Sequence, residues 1–477
     1  MYDTQAALEE RAVLVGLERS GHDRWALEDS LAELRELVRT AGAEVLEVIK
    51  QKRDKPDAAT FIGSGKAAEI AALCKQTSAN LVVFDDDLTP AQGRNLGEIF
   101  GEKVKVLDRT ELILDIFAQR ARTREGKIQV ELAQLEYMLP RLTGMWTHLS
   151  RQNGAIGTRG PGETQLEVDR RRVQEKITRL KRDLAEVRKN RRIERSSRQR
   201  LHWPVVSIIG YTNTGKSTLL NALTGADVLA EDKLFATLDP TTRKVRLPNN
   251  QNILLSDTVG FLRKLPHGLV ESFKATLEEV VEADLLLHVV DASHPQAREQ
   301  IKAVEVVLEE IGATGKATVI ALNKTDKLAG TKPESGDVGR VTSRGGETHA
   351  ASGDAAYNDV AGTLTEHEAI NLHDGGESDR VLEKFLREYP RAVPISAKTG
   401  GNLRELLDEI SNQLADRRVN VTLSIPSHRA KTIALVYRSG YVTAREVGDD
   451  GNVVLAAQIP KVLAGELTPF LVETMAK

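Results

Sequence analysis

The sequence has 477 residues, 40% of them hydrophobic, and a formal net charge of −3. The length predicts two to four domains with buried cores. The small net charge excludes a bulk attraction of the whole chain to nucleic acid, and the single cysteine, Cys74, excludes an internal disulfide. We find no signal-peptide pattern and no apolar run of about 18 residues. A cytoplasmic protein without a membrane span is therefore expected, acting as a monomer.

Residues 1–120 alternate short apolar runs with helical patterns, which predicts a parallel α/β domain. The predicted strands are Ala12–Gly16, Glu44–Ile49, Asn80–Phe84 and Lys103–Leu107. The predicted helices are Leu27–Thr40, Gly65–Thr77, Pro90–Phe100 and Thr110–Gln119. Thr89 followed by Pro90 fits a helix N-cap and first turn.

Residues 121–200 predict an antiparallel helical hairpin. Apolar residues recur at spacings of three and four in two stretches. They are Ile128, Leu132, Leu135, Leu139 and Leu142, then Val173, Ile177, Leu180, Leu184 and Val187. The connection, Asn153–Glu163, holds four glycines and a proline and cannot be helical. The second helix is basic, with fourteen Lys or Arg against four Asp or Glu in Arg170–Arg200.

A phosphate-binding loop lies between the predicted strand Val205–Ile209 and the predicted helix Ser217–Leu223. Its residues are Gly210, Tyr211, Thr212, Asn213, Thr214, Gly215, Lys216 and Ser217. Backbone N–H groups of such a loop surround nucleotide phosphates, and the helix N-terminus adds its dipole. We expect Lys216 to contact the β- and γ-phosphates and the Ser217 hydroxyl to ligate Mg²⁺.

The base is predicted to be guanine. Asn323, Lys324, Thr325 and Asp326 follow the strand-like run Ala317–Leu322. In this arrangement the Asp326 carboxylate accepts hydrogen bonds from the guanine N1–H and the exocyclic amine, a donor pair that adenine lacks. Ser396, Ala397 and Lys398 follow the apolar Val393–Ile395 and are predicted to complete the base pocket.

Two further segments predict a γ-phosphate sensor. Asp257, Thr258, Val259 and Gly260 follow the strand-like Asn252–Ser256; Asp257 would hold the Mg²⁺ shell through water, and the Gly260 N–H would meet the γ-phosphate. The switch I candidates are Phe235, Ala236, Thr237, Leu238 and Asp239, followed by Pro240, Thr241 and Thr242. Thr237 is the first choice for a second Mg²⁺ ligand, and Thr241 is the alternative. The predicted catalytic residues are Lys216, Thr237 and Gly260.

The position after Gly260 carries Phe261 where many GTPases have a water-orienting glutamine. A phenyl ring has no hydrogen-bonding group. We therefore expect slow GTP hydrolysis by the protein alone, or assistance from elsewhere.

Within the predicted GTPase domain, residues 201–417, the segment Thr331–Arg380 breaks the α/β pattern. It holds eight glycines, and four Lys or Arg against ten Asp or Glu, which predicts a loosely ordered acidic insertion. Residues 418–477 predict a small α/β domain. Its apolar runs are Val421–Ile425, Thr432–Tyr437 and Val453–Ile459, with a helix over Ala464–Thr474.

Taken together, these motifs resemble one family, the HflX GTPases. The segment Gly157-Thr158-Arg159-Gly160-Pro161-Gly162-Glu163-Thr164-Gln165 is the most specific part, because phosphate-binding loops occur widely. Phe61–Lys66 also resembles the N-terminal domain of that family. The resemblance covers residues 10 to 475, and the acidic insertion is the main departure.

The resemblance implies a factor that binds GTP and GDP, associates with the large ribosomal subunit and splits stalled or idle 70S ribosomes. The glycine-rich tip would approach ribosomal RNA. Related GTPases with an asparagine in the phosphate-binding loop use it to place K⁺, which is a hypothesis for Asn213. The family also suggests ATP binding near Gly63–Lys66, although Ala67 replaces the hydroxyl of a full motif.

Two other functions stay open at this point. One is an RNA-binding or remodelling factor driven by ATP at the N-terminal domain and regulated by its GTPase domain. The other is a signalling switch that acts on protein partners, against which the basic helix argues.

Overall fold

The computed structural model describes residues 10–19, 24–142, 165–199, 203–225, 235, 241–262, 277–328, 377–448 and 451–475. They form two compact units. The first holds the described parts of residues 1–197, 231–240 and 258–281, and the second those of residues 198–230, 241–257 and 282–477.

The first unit contains a four-stranded parallel sheet. Its strands, in the spatial order β2-β1-β3-β4, are β1 (Arg11–Glu18), β2 (Glu44–Lys52), β3 (Leu81–Phe84) and β4 (Lys105–Asp108). The helices are α1 (Arg24–Ala41), α2 (Ser64–Thr77), α3 (Pro90–Phe100) and α4 (Arg109–Arg120). This confirms the predicted α/β domain. Cys74 is buried in its core, and Thr89 caps α3 in a reciprocal pair with Gln92.

The helices α5 (Arg124–Met138) and α6 (Gln165–Gln199) pack along one apolar seam. The buried members of the seam are Ile128, Leu132, Ile177, Leu180 and Leu184. Ion pairs between the helices support it, with Lys176 Nζ 2.5 Å from Glu131 and Lys181 Nζ 2.8 Å from Glu136. The connection between them, including Arg159 and the rest of the glycine-rich segment, lies outside the described residues.

A buried carboxylate ties the end of α5 to the N-terminal sheet. Asp108, at the end of β4, is 1% exposed. Its oxygens accept hydrogen bonds from the Leu88 N–H at 3.1 Å, the Glu111 N–H at 3.0 Å, the Arg141 guanidinium at 3.0 Å and the Tyr137 hydroxyl. We call these four donors and Asp108 the Asp108 clamp. It fixes Tyr137 and Arg141, at the end of α5 and just after it, to the end of β4.

The second unit contains a six-stranded sheet in the order β10-β9-β8-β5-β7-β6, parallel except for β6. Its strands are β5 (Val205–Ile209), β6 (Thr241–Arg246), β7 (Asn252–Asp257), β8 (Leu285–Asp291), β9 (Thr318–Asn323) and β10 (Val393–Pro394). The helices are α7 (Lys216–Thr224), α8 (Ala297–Glu310), α9 (Glu377–Glu388) and α10 (Leu403–Leu414). Short apolar runs form its inner strands, as a parallel sheet covered on both faces requires. Helix α9 begins at Glu377, so the last residues of the predicted insertion are helical.

The second unit also contains a four-stranded antiparallel sheet in the order β12-β13-β11-β14. Its elements are β11 (Arg418–Pro426), α11 (Ala430–Ser439), β12 (Tyr441–Val447), β13 (Asn452–Pro460), α12 (Lys461–Leu467) and β14 (Leu471–Met475). The apolar run Thr432–Tyr437 is helical. One expectation was wrong in part, because the predicted helix over Ala464–Thr474 ends at Leu467. Pro469 follows in a short 3₁₀ turn, after which the chain pairs with β11 as a strand.

Candidate nucleotide-binding site

The phosphate-binding loop follows β5 at the carboxyl edge of the six-stranded sheet, and two of its glycines are required by close contacts. Gly210 has φ +150°, and a β-carbon there would lie 2.3 Å from the Val289 carbonyl oxygen. Gly215 has φ +91°, and a β-carbon there would lie 2.4 Å from Asn323 Nδ2. The loop therefore packs directly against β8 and the end of β9.

Side chains inside the loop hold its shape. Thr214 Oγ1 donates to the Tyr211 carbonyl at 3.0 Å, and Lys216 Nζ donates to the same oxygen at 2.7 Å. Burial, together with the nearby positive charge of Lys324, lowers the pKa of Lys216 to about 8. The negative charge of Asp257 acts in the opposite direction. Such a buried ammonium group is well suited to bind phosphate oxygens.

Ser217 is the second residue of α7 and donates from its hydroxyl to Asp257 Oδ2 at 2.7 Å. Asp257 is fully buried at the end of β7. A hydroxyl and a carboxylate this close are hard oxygen donors of the kind that Mg²⁺ prefers. The residues present thus fit the predicted ion.

The Asn323 side chain joins the end of β9 to two loops. Its Nδ2 donates to the Thr214 carbonyl at 2.8 Å, and its Oδ1 accepts from the Ala397 N–H at 2.9 Å. Thr325 Oγ1 donates to the Ile395 carbonyl at 2.9 Å. One amide therefore links the phosphate-binding loop to the segment after β10, as the order of the motifs predicts.

Asp326 is held by the segment after β10. The Ser396 hydroxyl donates to Asp326 Oδ1 at 2.7 Å and accepts from the Thr399 N–H at 3.2 Å. The Lys398 side chain is exposed, and Ala397 is buried. Asp326, Ser396 and Ala397 thus come together as predicted.

Of the predicted switch residues, Phe235 and Thr258–Phe261 belong to the first unit, and Thr241, Thr242 and Asp257 belong to the second. Phe235 is 3% exposed, and its ring lies edge-on against Phe117 of α4, with centroids 4.6 Å apart. Thr258, Val259 and Phe261 are buried. Ala236, Thr237, Leu238, Asp239 and Pro240 lie outside the described residues. The alternative ligand Thr241 begins β6 and pairs in register with Asp257.

Two residues of β8 were not predicted. Asp291 lies 2.8 Å from Lys324 Nζ. Burial lowers the pKa of His288 to about 4, and the nearby positive charge of Lys216 contributes to this change. Asp291 could have been found from the sequence, because it is a carboxylate directly after a buried strand of the same sheet. His288 gives no comparable signal within its apolar run.

Four family profiles match the chain in order. They are described as GTP-binding GTPase N-terminal over residues 28–118, GTP-binding GTPase Middle Region over 120–198, 50S ribosome-binding GTPase over 205–324, and HflX C-terminal domain over 382–473. The GTPase HflX of Lacrimispora saccharolytica is 42% identical over 460 residues, which is 96% of each chain.

The chain belongs to the HflX family of GTPases.

A second HflX relative, from Escherichia coli, is 41% identical over 434 residues, 91% of this chain and 90% of its own length. A GTP-binding protein from Sulfolobus solfataricus, solved with GDP, is 24% identical, with a TM-score of 0.41, over 85% of this chain and 99% of that one. As a member of the HflX family, the protein binds guanine nucleotides and hydrolyses GTP. Among the described residues, we find no helix of the length and apolar character that a membrane crossing needs.

Proposed function

We propose that this HflX protein binds the large ribosomal subunit in its GTP state and splits stalled or idle 70S ribosomes. The observation that carries the proposal is the basic helix α6, which buries an apolar seam against α5 and turns its charges outward. Arg170, Arg182 and Lys189 are exposed and make no ion pair within the described part of the chain. Such a helix attracts RNA phosphates in a salt-dependent way.

The nucleotide site would control binding to the large subunit through the change between its GTP-bound and GDP-bound states. We assign phosphate binding to Gly210–Ser217 and guanine recognition to Asp326, with Asn323 and the Ser396–Lys398 segment in support. Ser217, with Thr237 or Thr241, would hold Mg²⁺, which supplies positive charge for the γ-phosphate when bound. The backbone N–H of Gly260 would meet the γ-phosphate. Phe261 offers no group to orient water, so hydrolysis depends on help from outside these residues.

We also propose that a K⁺ ion supplies part of this help at Asn213. Asn213 is exposed at the tip of the phosphate-binding loop, in a left-handed backbone conformation with φ +58°. We expect GTP hydrolysis to be faster in K⁺ than in Na⁺ buffer, and Asn213→Ala to remove the difference. Equal rates of the unchanged protein in the two buffers would exclude this role.

Sedimentation with purified large subunits in non-hydrolysable GTP tests the ribosome proposal. Reversing the charge of Arg170, Arg182 and Lys189 together should abolish co-sedimentation at moderate salt, since about three phosphate contacts are lost. The matched control replaces three exposed carboxylates of the second unit, Glu383, Glu405 and Asp408, with lysine. This control also reverses three charges but leaves α6 unchanged.

Splitting is tested separately with intact 70S ribosomes in light scattering. We expect Lys216→Ala to abolish splitting with GTP, whether or not ATP is present. Splitting that survived this substitution in the presence of ATP would favour the ATP-driven remodelling factor instead. A failure of the unchanged protein to co-sediment with large subunits would overturn the ribosome proposal.

A further inference from the structure

Strand register places a carboxylate beside the guanine-recognition motif. Asp291 is the last residue of β8 and pairs with Asn323, the last residue of β9. The Ala292 N–H extends this ladder by donating to the Asn323 carbonyl at 2.9 Å. Because parallel neighbours end at the same edge of a sheet, Asp291 reaches the edge at which the phosphate-binding loop lies.

Both oxygens of Asp291 are engaged. Oδ1 accepts from the Ser293 N–H at 3.0 Å and from the Ser293 hydroxyl at 2.6 Å. Oδ2 lies 2.8 Å from Lys324 Nζ. The Asp291 side chain is 12% exposed and that of Lys324 is 18% exposed. Ser293 therefore fixes the carboxylate, and the carboxylate faces the lysine in a site mostly screened from water.

Lys324 joins two loops through the same ammonium group. It has a left-handed backbone with φ +64°, and its Nζ also donates to the Asn213 carbonyl at 2.6 Å. Without Asp291, the ammonium would lose the carboxylate that lies 2.8 Å away, and its long flexible stem would be free to leave the Asn213 carbonyl.

We infer that Asp291 is a positioning residue for guanine-nucleotide binding, which holds the Lys324 ammonium on the Asn213 carbonyl and so joins the base-recognition loop to the phosphate-binding loop. Asp291 acts through Lys324. The inference rests on the proposed assignment of these loops to guanine and phosphate recognition.

Nucleotide affinity and turnover of Asp291→Asn test this role. The substitution keeps the shape and removes the charge. We expect the Kd of a fluorescent GDP analogue to rise about ten-fold through faster dissociation, as for the loss of one charge-assisted contact. The KM for GTP should rise in parallel, while kcat at saturating GTP stays within about two-fold.

A double-mutant cycle separates positioning from a general loss of structure. Lys324→Met removes the ammonium and keeps the stem, so adding Asp291→Asn to it should change the Kd no further. Ser293→Ala is a milder variant that keeps the charge and loses one donor to Asp291. It should raise the Kd about three-fold in the unchanged background and have no effect beside Lys324→Met.

The matched control lies at the other end of β8. Asp284 precedes the strand and accepts from the Val205 N–H at 2.8 Å, so Asp284→Asn makes the same chemical change away from the nucleotide edge. It should leave the Kd unchanged. An unchanged Kd in both Asp291→Asn and Ser293→Ala, or additive effects with Lys324→Met, would overturn the inference. Equal affinity of the unchanged protein for ATP and GTP would instead overturn the assignment of the site.

Discussion

At Gly215 the backbone leaves no room for a β-carbon, and this contact lies where two recognition loops meet. Its neighbour is the Asn323 amide, which also bonds to the Thr214 carbonyl and the Ala397 N–H. A displacement of Asn323 would therefore reach both the phosphate-binding loop and the segment after β10.

We expect Gly215→Ala to weaken GDP binding by about 100-fold, because it displaces Asn323 and strains a left-handed position. Gly225→Ala is the matched control: Gly225 has φ +61° with nothing within 4 Å of an added β-carbon. It should cost about 1 kcal/mol of unfolding free energy and leave GDP affinity intact. Isothermal titration and thermal melting of both variants make the comparison. Equal GDP affinities in the two variants would contradict this reading.

The side chain of Glu111, whose backbone N–H belongs to the Asp108 clamp, predicts a pH effect on the stability of the first unit. Burial and the charge of Asp108 raise its pKa to about 7, and Arg141 opposes them. A carboxyl whose folded-state pKa is raised stabilises the fold most below its unfolded pKa, and this stabilisation is lost as the pH rises through about 7.

Glu111→Gln removes this titration. The variant should gain unfolding free energy relative to the unchanged protein as the pH rises from 5 to 8, by on the order of 2 kcal/mol. Urea unfolding at several pH values measures the difference. Glu125→Gln, another carboxyl in the first turn of a helix, is the control. A constant difference across this pH range would show that Glu111 does not titrate there.

Among the elements, α5 depends on the Asp108 clamp at its end. Arg141 contributes a guanidinium 3.0 Å from the buried Asp108 carboxylate, donates to the Leu88 carbonyl at 2.8 Å and stacks over the Tyr137 ring at 3.5 Å. Losing it leaves a buried carboxylate with fewer donors. Such losses are costly because the charge stays desolvated.

Arg141→Met should lower the unfolding free energy of the first unit by about 2 kcal/mol. Arg172→Met is the matched control, since Arg172 forms an exposed ion pair with Asp169 at 3.5 Å and should contribute under about 0.5 kcal/mol. Chemical unfolding followed by circular dichroism gives both values. If the two variants are equally stable, the clamp is not a stabilising feature.

The accuracy with which each helix or strand could be predicted from the sequence depends on where its apolar residues lie. Inner strands such as β5 and β9 are short apolar runs, so their positions were predicted within one residue. The edge strand β12 was missed because its exposed residues 443–447 carry no buried pattern. The strand β14 was predicted as a helix because its pairing with β11 is a tertiary interaction that local spacing does not encode.

Across the whole molecule, the chain order of the motifs predicted which residues meet at the nucleotide site. Thr214, Asn323 and Ala397 are far apart in sequence, yet the parallel order of β5, β9 and β10 brings their loops to one edge. The contact of Asp291 with Lys324 could not be predicted in the same way. It depends on strand register and on the left-handed turn at Lys324, which composition and spacing leave open.

The apolar cluster beside β9 has a consequence for how this fold tolerates a change in chain length. Leu328, the last described residue before the acidic segment, packs in the same cluster as Leu382 and Phe385 of α9, the helix that follows the segment. The chain therefore departs from and returns to one anchored patch. Closing a flexible loop costs only about 0.6 kcal/mol more for each doubling of its length. Since the sequence predicts a loosely ordered insertion here, we expect that the segment can be lengthened, trimmed or given a reporter domain at little cost in folding free energy.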